Sequence, residues 1–356
     1  MGKEDKGAYA KAGVDIDAAT KAVDLMKSHI RSTYDKHTIR DIGLFGGLTD
    51  VSFLKDYRSP VLVQSIDGVG TKMMIAEMMN KYTVGQCIVN HCVNDILALG
   101  AIPITFLDYV AFSKLQPEVM EQIVAEMAIA CKAISLPIIG GETAEMPGVY
   151  QEGQHDVVGC VTGVVEKDGI IDGSQIEETD MLIGLPSNGL HTNGFSLARK
   201  AFLRSNVTDG VNTYIHELGC TIGEELLKVH KCYFQPVASI LRNNIEIHGI
   251  AHITGGGFFD NIGRLLKDGL YAKISTNWEI PWVFRLIQQL ERVSNNEMRR
   301  VFNLGIGMVL IVPFKQVKAA MGLLAQCDET SGIISGVIGE IRKISSKKKE
   351  KVVFAY

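Results

Sequence analysis

The chain lacks the charge imbalance that gathers a polyanion: 36 lysines and arginines stand against 40 aspartates and glutamates, a formal net charge of −4 over 356 residues. No global field recruits nucleic acid or an anionic membrane, so neither is expected as a partner. The basic run Lys347 to Lys351 reads instead as a solvated linker before a last strand, Val352-Val353-Phe354. The seven cysteines are odd in number and include no Cys-x-x-Cys pair. This argues against a disulfide framework and a structural zinc site, and for a reducing cytoplasm. No apolar run approaches the roughly 20 residues of a membrane span. Met1 to Lys6 is charged where a signal peptide is apolar, and Lys6 stands where a myristoylation signal has Ser or Thr. No Ser or Cys is grouped with His and an acid as a nucleophile. A Gly-x-Gly-x-x-Gly after a first strand is also missing, which disfavours a nicotinamide enzyme.

What the chain does have is glycine, 36 residues of it, and a 46% hydrophobic content sufficient for two cores. The apolar strand at Pro60 delivers Asp67-Gly68-Val69-Gly70-Thr71-Lys72 into a turn before a helix. Glycines let backbone approach a phosphate, and the carboxylate beside them suits Mg²⁺. The spacing is not that of the Gly-x-x-x-x-Gly-Lys-Ser/Thr loop, and an ordinary strand-to-helix turn is the competing reading. Upstream, Asp17 is positioned to cap a helix over 18–31, with Lys27 off its apolar stripe and facing either a ligand or solvent. Gly43 to Leu48 forms a glycine-rich loop. In the helix over 84–99, Asn94 and Asp95 precede the end, where capping does not account for an acid. Asp95 lies among Val93, Ile96 and Leu97. It requires a partner, either Mg²⁺ shared with Asp67 or the Lys72 ammonium. Asp108 and Glu142, the latter after Gly140-Gly141, are read with Asp67 as three carboxylates at strand ends.

A polar connector over 166–174 divides the chain. The expectation is an α/β protein of α+β layers with two domains, 1–170 and 171–345, followed by a basic tail and last strand over 346–356. In the second half a strand runs into His191-Thr192-Asn193-Gly194 and a helix. His191 is a phosphate donor, a proton-transfer group or a capping residue. Thr254-Gly255-Gly256-Gly257 precedes another helix, and Asn303-Leu-Gly-Ile-Gly-Met308 precedes a strand.

Taken together, Asp67-Gly-Val-Gly-Thr-Lys72, Asn94-Asp95, Phe106-Leu-Asp-Tyr109, Gly140-Gly-Glu-Thr-Ala-Glu-Met-Pro-Gly148, His191-Thr-Asn-Gly194, His252-Ile-Thr-Gly-Gly-Gly257 and Asn303-Leu-Gly-Ile-Gly-Met308 closely resemble the phosphoribosylformylglycinamidine cyclo-ligases. The likeness covers about residues 9 to 340, including Ala12-Gly-Val-Asp-Ile-Asp17. It implies an N-terminal domain whose sheet pairs with a second subunit's in a barrel, a homodimer, a C-terminal α/β domain, and a site in the cleft between domains. ATP would phosphorylate the formyl oxygen of formylglycinamidine ribonucleotide, and the amidine nitrogen would close an imidazole ring as phosphate leaves.

Carried over residue by residue, the resemblance implies catalytic roles for Asp95, His191 and Lys72. ATP contacts would come from Lys27, Asp67, Gly68, Gly70, Thr71, Asn94, Asp108, Gly140, Gly141 and Glu142. Substrate contacts fall to Asn193, Thr254, Gly255 and Gly256, and Mg²⁺ ligation to Asp67, Asp95 and Glu142. The chain departs from the family at Val229-His-Lys-Cys-Tyr233, where many members have Pro-Thr-Arg-Ile-Tyr. Rival readings are a thiamine-monophosphate kinase or selenophosphate synthetase of the same architecture, and a catalytically silent nucleotide-binding subunit. The first cysteine, Cys87, comes too late for the synthetase's reactive loop.

Overall fold

The computed structural model describes residues 13–203, 210–328, 335–344 and 350–355. The segment Tyr9 to Ala12 and the lysines at 347–349 lie outside them. A helix over Ile16–Arg31 opens the described chain, and its cap is Asp15 rather than the expected Asp17: the Asp15 carboxylate accepts from Ala18 N at 3.1 Å. Asp17 sits instead in the first helical turn, where its charge still suits the exposed amides.

The first half builds a four-stranded sheet from β1 (Pro60–Gly68), β2 (Ile102–Phe112), β3 (Ile138–Glu145) and β4 (His155–Glu166), in the order β1-β4-β2-β3. The helices Val84–Leu97 and Pro117–Ala133 cover one face, and Val84–Leu97 packs on β1, β4 and β2. The register places Asp67 opposite Gly159, Gly159 opposite Asp108, and Asp108 opposite Gly141, a single row across the sheet. Asp108 and Glu142 therefore lie within strands, not at their ends. Phe106 on β2 and Ile88 on the helix fill the space above Gly159, where a Cβ would come within 2.5 Å of the Phe106 ring. On the opposite face, β1 alternates exposed with half-buried residues, leaving Leu62 58% and Ile66 70% exposed.

The second half forms a six-stranded sheet from β5 (Met181–Pro186), β8 (Gly249–His252), β9 (Leu270–Ser275), β10 (Ile306–Val312), β11 (Gly336–Lys343) and β12 (Val352–Ala355). Their order is β12-β9-β11-β5-β10-β8, and β6 (Tyr214–Ile215) with β7 (Cys220–Thr221) makes a separate ribbon. Every residue of β10 is buried, as its unbroken apolar run requires. The last strand, set apart in the sequence with the basic tail, belongs to this sheet through parallel pairing with β9. Among the described residues no helix is long and apolar enough to cross a membrane.

Candidate active site

Where the two halves meet, the sequence brings four histidines and two aspartates together. Asp67, at the end of β1, accepts from Gly68 N at 2.6 Å, and its other oxygen lies 3.0 Å from His91 Nε2. Asp95, one helical turn beyond His91, takes Ser65 Oγ at 3.1 Å and His252 Nδ1 at 2.8 Å, with His91 Nε2 at 3.8 Å. The carboxylates thus flank one imidazole. Both stay open to solvent, Asp67 by 41% and Asp95 by 28% of the side chain.

Partial burial pushes both carboxyls up, but the histidines outweigh it: His91 holds Asp67, and His252 with His91 holds Asp95, below the ordinary value. Both are ionised at neutral pH. Burial lowers His91 as well, yet Asp67 and Asp95 reverse the effect and raise it. His252 remains lowered by burial despite Asp95. His191 and His230 are pushed well down by burial, and neighbouring histidines and Lys72 add to the effect.

The ion-pair alternative for Asp95 is not what the structure builds. Lys72 is fully buried, and its ammonium donates to His191 O at 2.8 Å, Lys228 O at 2.7 Å and Cys87 Sγ at 3.2 Å. Lys72, expected in catalysis, clamps the two halves together in this structure. Asn94 is likewise occupied: its oxygen accepts from Tyr233 N at 2.9 Å and its nitrogen donates to Lys231 O at 2.9 Å, leaving no face for a nucleotide.

His191 has φ +63°, and neither buried ring nitrogen has a hydrogen-bond partner, so it is not a capping residue. Its ring stacks on His230 at 4.0 Å, in space that Gly307 leaves open: a Cβ there would meet His191 Cε1 at 2.5 Å and Tyr233 Oη at 2.1 Å. Asn193 lies against the glycine turn, its Oδ1 3.5 Å from a Cβ built on Gly255. Asn261 holds that turn by donating to the carbonyls of Gly255 and Gly257, and Gly256 has φ +88°.

The remaining expected contacts lie elsewhere. Gly140, Gly141, Glu142 and Asp108 line a cavity of about 740 Å³, walled by Val23, Met26 and the loop Gly43 to Gly47. Lys27 is off that wall and pairs with Asp24 at 2.7 Å. Glu142 is on β3, at the other sheet edge from Asp67 on β1, roughly three strand spacings of 4.8 Å away. Within one chain Asp67, Asp95 and Glu142 do not converge on one ion. Gly70 and Thr71 are exposed at the turn after β1, beside Gly68.

His91, His230, His252 and Thr192 escaped the sequence reading. The available signals were His91 four residues before Asp95, and His230 within the stretch that departs from the family pattern.

Two family models match this chain: AIR synthase related protein, N-terminal domain, over residues 52–165, and its C-terminal domain over 177–346. The fold is that of the AIR synthase related proteins. Relatives include the phosphoribosylformylglycinamidine cyclo-ligase of Alkaliphilus oremlandii, 45% identical over 94% of this chain and 98% of that one. The enzyme of the same name from Carboxydothermus hydrogenoformans is 46% identical over 94% and 95%. The chain belongs to the phosphoribosylformylglycinamidine cyclo-ligase family.

Solved structures share the fold at much lower identity. A thiamine-monophosphate kinase from Stenotrophomonas maltophilia K279a is 14% identical over 94% of this chain and 95% of its own, with TM-score 0.65. The hydrogenase maturation protein HypE in complex with ATP is 16% identical over 96% and 92%, with TM-score 0.61.

Proposed function

We propose that the chain carries out the ATP-dependent ring closure of formylglycinamidine ribonucleotide to 5-aminoimidazole ribonucleotide in purine biosynthesis, releasing ADP and phosphate. The observation that carries this reading is the 42–46% identity to cyclo-ligases across nearly the whole chain. The kinase of the same fold stands much further off, at 14%.

In this reading the formyl oxygen attacks the γ-phosphorus of ATP, and ADP departs. The amidine nitrogen then attacks the activated carbon and the carbon–oxygen bond to phosphate breaks; loss of the N–H protons of the attacking and formyl nitrogens, with transfer of one methylene proton to the exocyclic imine nitrogen, completes the aromatic ring. The residues chiefly orient and stabilise charge. Asp67 and Asp95, ionised, solvent-open and oxygen-only donors, fit Mg²⁺, which accepts one or two carboxylates alongside substrate phosphates. When bound, the ion would screen the phosphates and the charge that develops during transfer. His252 and Ser65 fix the Asp95 oxygens toward that position. His191 and Asn193, with the turn Thr254-Gly255-Gly256, offer donors to the ribonucleotide, and the 740 Å³ cavity at Asp108 and Gly140 to Glu142 offers room for a nucleotide base. We assign the first domain to 1–170 and the second to 171–345, with the tail strand added to it. The exposed face of Leu62, Ile66 and Leu107 supports a homodimer closed sheet to sheet, and seven free cysteines fit work in a reducing cytoplasm.

The test is direct: purified protein with ATP, Mg²⁺ and formylglycinamidine ribonucleotide, followed by diazotisation of the product. One aminoimidazole per ADP is expected. ADP release without aminoimidazole, or no turnover at all, would overturn the reading.

A further inference from the structure

The cavity beside the edge strand β3 lies apart from Asp67 and Asp95, and its lining restricts what can enter. The walls are apolar: Val23 and Met26 from the helix Ile16–Arg31, Met120 and Val124 from the helix Pro117–Ala133, and Ile139 from β3. Among the described residues no lysine, arginine or histidine lines it, so nothing there neutralises a phosphate. The polar side chains are those of Asp108, Glu142 and Thr143. Carboxyls set among apolar walls suit an uncharged, largely apolar body that carries hydrogen-bond donors.

Asp108 is only 9% exposed, and among the described residues nothing but its own backbone N–H hydrogen-bonds its carboxyl. Burying such a group costs free energy unless a partner arrives. The carboxyl leans over Gly141, its register partner on β3: a Cβ built there would come within 2.3 Å of Asp108 Oδ1 and 2.8 Å of its Cγ. Any side chain at 141 would therefore stand between the acid and the cavity. Gly140 and Gly141 together leave a window in the edge strand, with the Asp108 oxygens behind it. Burial raises this carboxyl to about 7, so near neutrality it is shared between acid and carboxylate. Either form accepts an N–H, and the acid also donates an O–H. Adenine answers both functions, because its 6-amino group donates, its N1 accepts, and its faces are apolar.

We propose that Asp108 reads the 6-amino group of the adenine ring through the window at Gly140 and Gly141, and so determines that this site takes an adenine nucleotide. The inference rests on the ATP use proposed above and adds the residue that chooses the base. Asp108 acts without touching the phosphates, the ion or the ribonucleotide. The two glycines serve here as absent side chains, which open the way to the acid, and not as a turn around a phosphate.

Calorimetric titration of the full-length protein with nucleotide and Mg²⁺ tests it. ATP is compared with purine riboside triphosphate, which keeps N1 but carries hydrogen in place of the 6-amino group. Wild type is expected to bind ATP roughly tenfold or more tightly than the analogue, because the analogue leaves a buried polar group unpaired. Asp108→Leu, of confirmed melting temperature, should bind the two within roughly twofold of each other, the missing coupling being the signature of a direct contact. Asp108→Ala takes its place if the leucine variant does not fold. Asp108→Asn should keep the preference, since an amide oxygen still accepts the 6-amino N–H. A wild type that binds both nucleotides alike overturns the proposal and leaves the ring closure standing. So does a preference that survives in the folded leucine or alanine variant, or one that is lost in a folded asparagine variant. A wild type that binds neither nucleotide, with ribonucleotide present or absent, defeats the ATP reading and this inference with it.

Discussion

His252 Nδ1 lies 2.8 Å from Asp95 Oδ1, although the two residues are 157 positions apart and belong to different halves of the chain. The acid that the sequence required to be partnered is thus held by a histidine, with its remaining oxygen directed to Ser65 and His91. Asp95→Asn preserves shape and removes the charge. Turnover should fall roughly 10²-fold or more, and the Mg²⁺ concentration for half-maximal rate should rise. Rate measured against Mg²⁺ alongside thermal melting separates the roles: a destabilised variant with unchanged Mg²⁺ dependence defeats ligation.

His191→Ala should slow ring closure by a similar factor, about 10²-fold, the scale of a lost positioned donor. Steady-state kinetics on protein of confirmed melting temperature makes the check, and a rate within threefold of wild type removes His191 from the chemistry.

Lys72→Met leaves the carbonyls of His191 and Lys228 without their shared cationic donor in a buried site. A loss of roughly 2–3 kcal/mol is expected, read as a lower midpoint in denaturant titration. An unchanged midpoint with collapsed turnover would return Lys72 to catalysis.

Burial raises the Asp108 carboxyl to about 7 in the folded chain, whereas unfolded aspartate titrates near 4. Between those values the folded form holds a proton that the unfolded form has lost, so Asp108 makes the ligand-free protein less stable as pH rises from about 4 to about 7. Above that range the deficit is complete. Asp108→Asn removes it, and the variant's melting advantage over wild type should be larger at about pH 8 than at about pH 5. An advantage that shrinks with pH contradicts the assignment.

Leu62 and Ile66 project from the uncovered face of β1. Leu62→Asp with Ile66→Asp should shift sedimentation from dimer to monomer at micromolar concentration and reduce activity. A wild-type protein that is monomeric and fully active dismisses the homodimer.

Strand and helix identities along the first half were legible because Asp67, Gly70 and Pro117 sit at positions where turns and helix starts leave a local mark. The row joining Asp67, Gly159, Asp108 and Gly141 was not, because register depends on which strands become neighbours. The same limit explains Lys72 and Asn94. Their types and spacing fit a phosphate site, but most of their partners are backbone carbonyls and an amide at 191, 228, 231 and 233 that carry no side-chain signature. The histidine cluster was hidden for a further reason: its members come from four separate elements, and only His191 and His252 stood within strings that resembled the family.

The Lys72 clamp also sets a waiting time. Its carbonyl partners follow it by 119 and 156 residues, an interval of roughly 6–30 s at typical rates of synthesis. Until the ribosome has delivered them, the ammonium lacks both carbonyls that seat it and has only Cys87 Sγ from its own half. The contact that joins the two halves thus makes the buried seat of Lys72 depend on the arrival of the loops at His191 and Lys228.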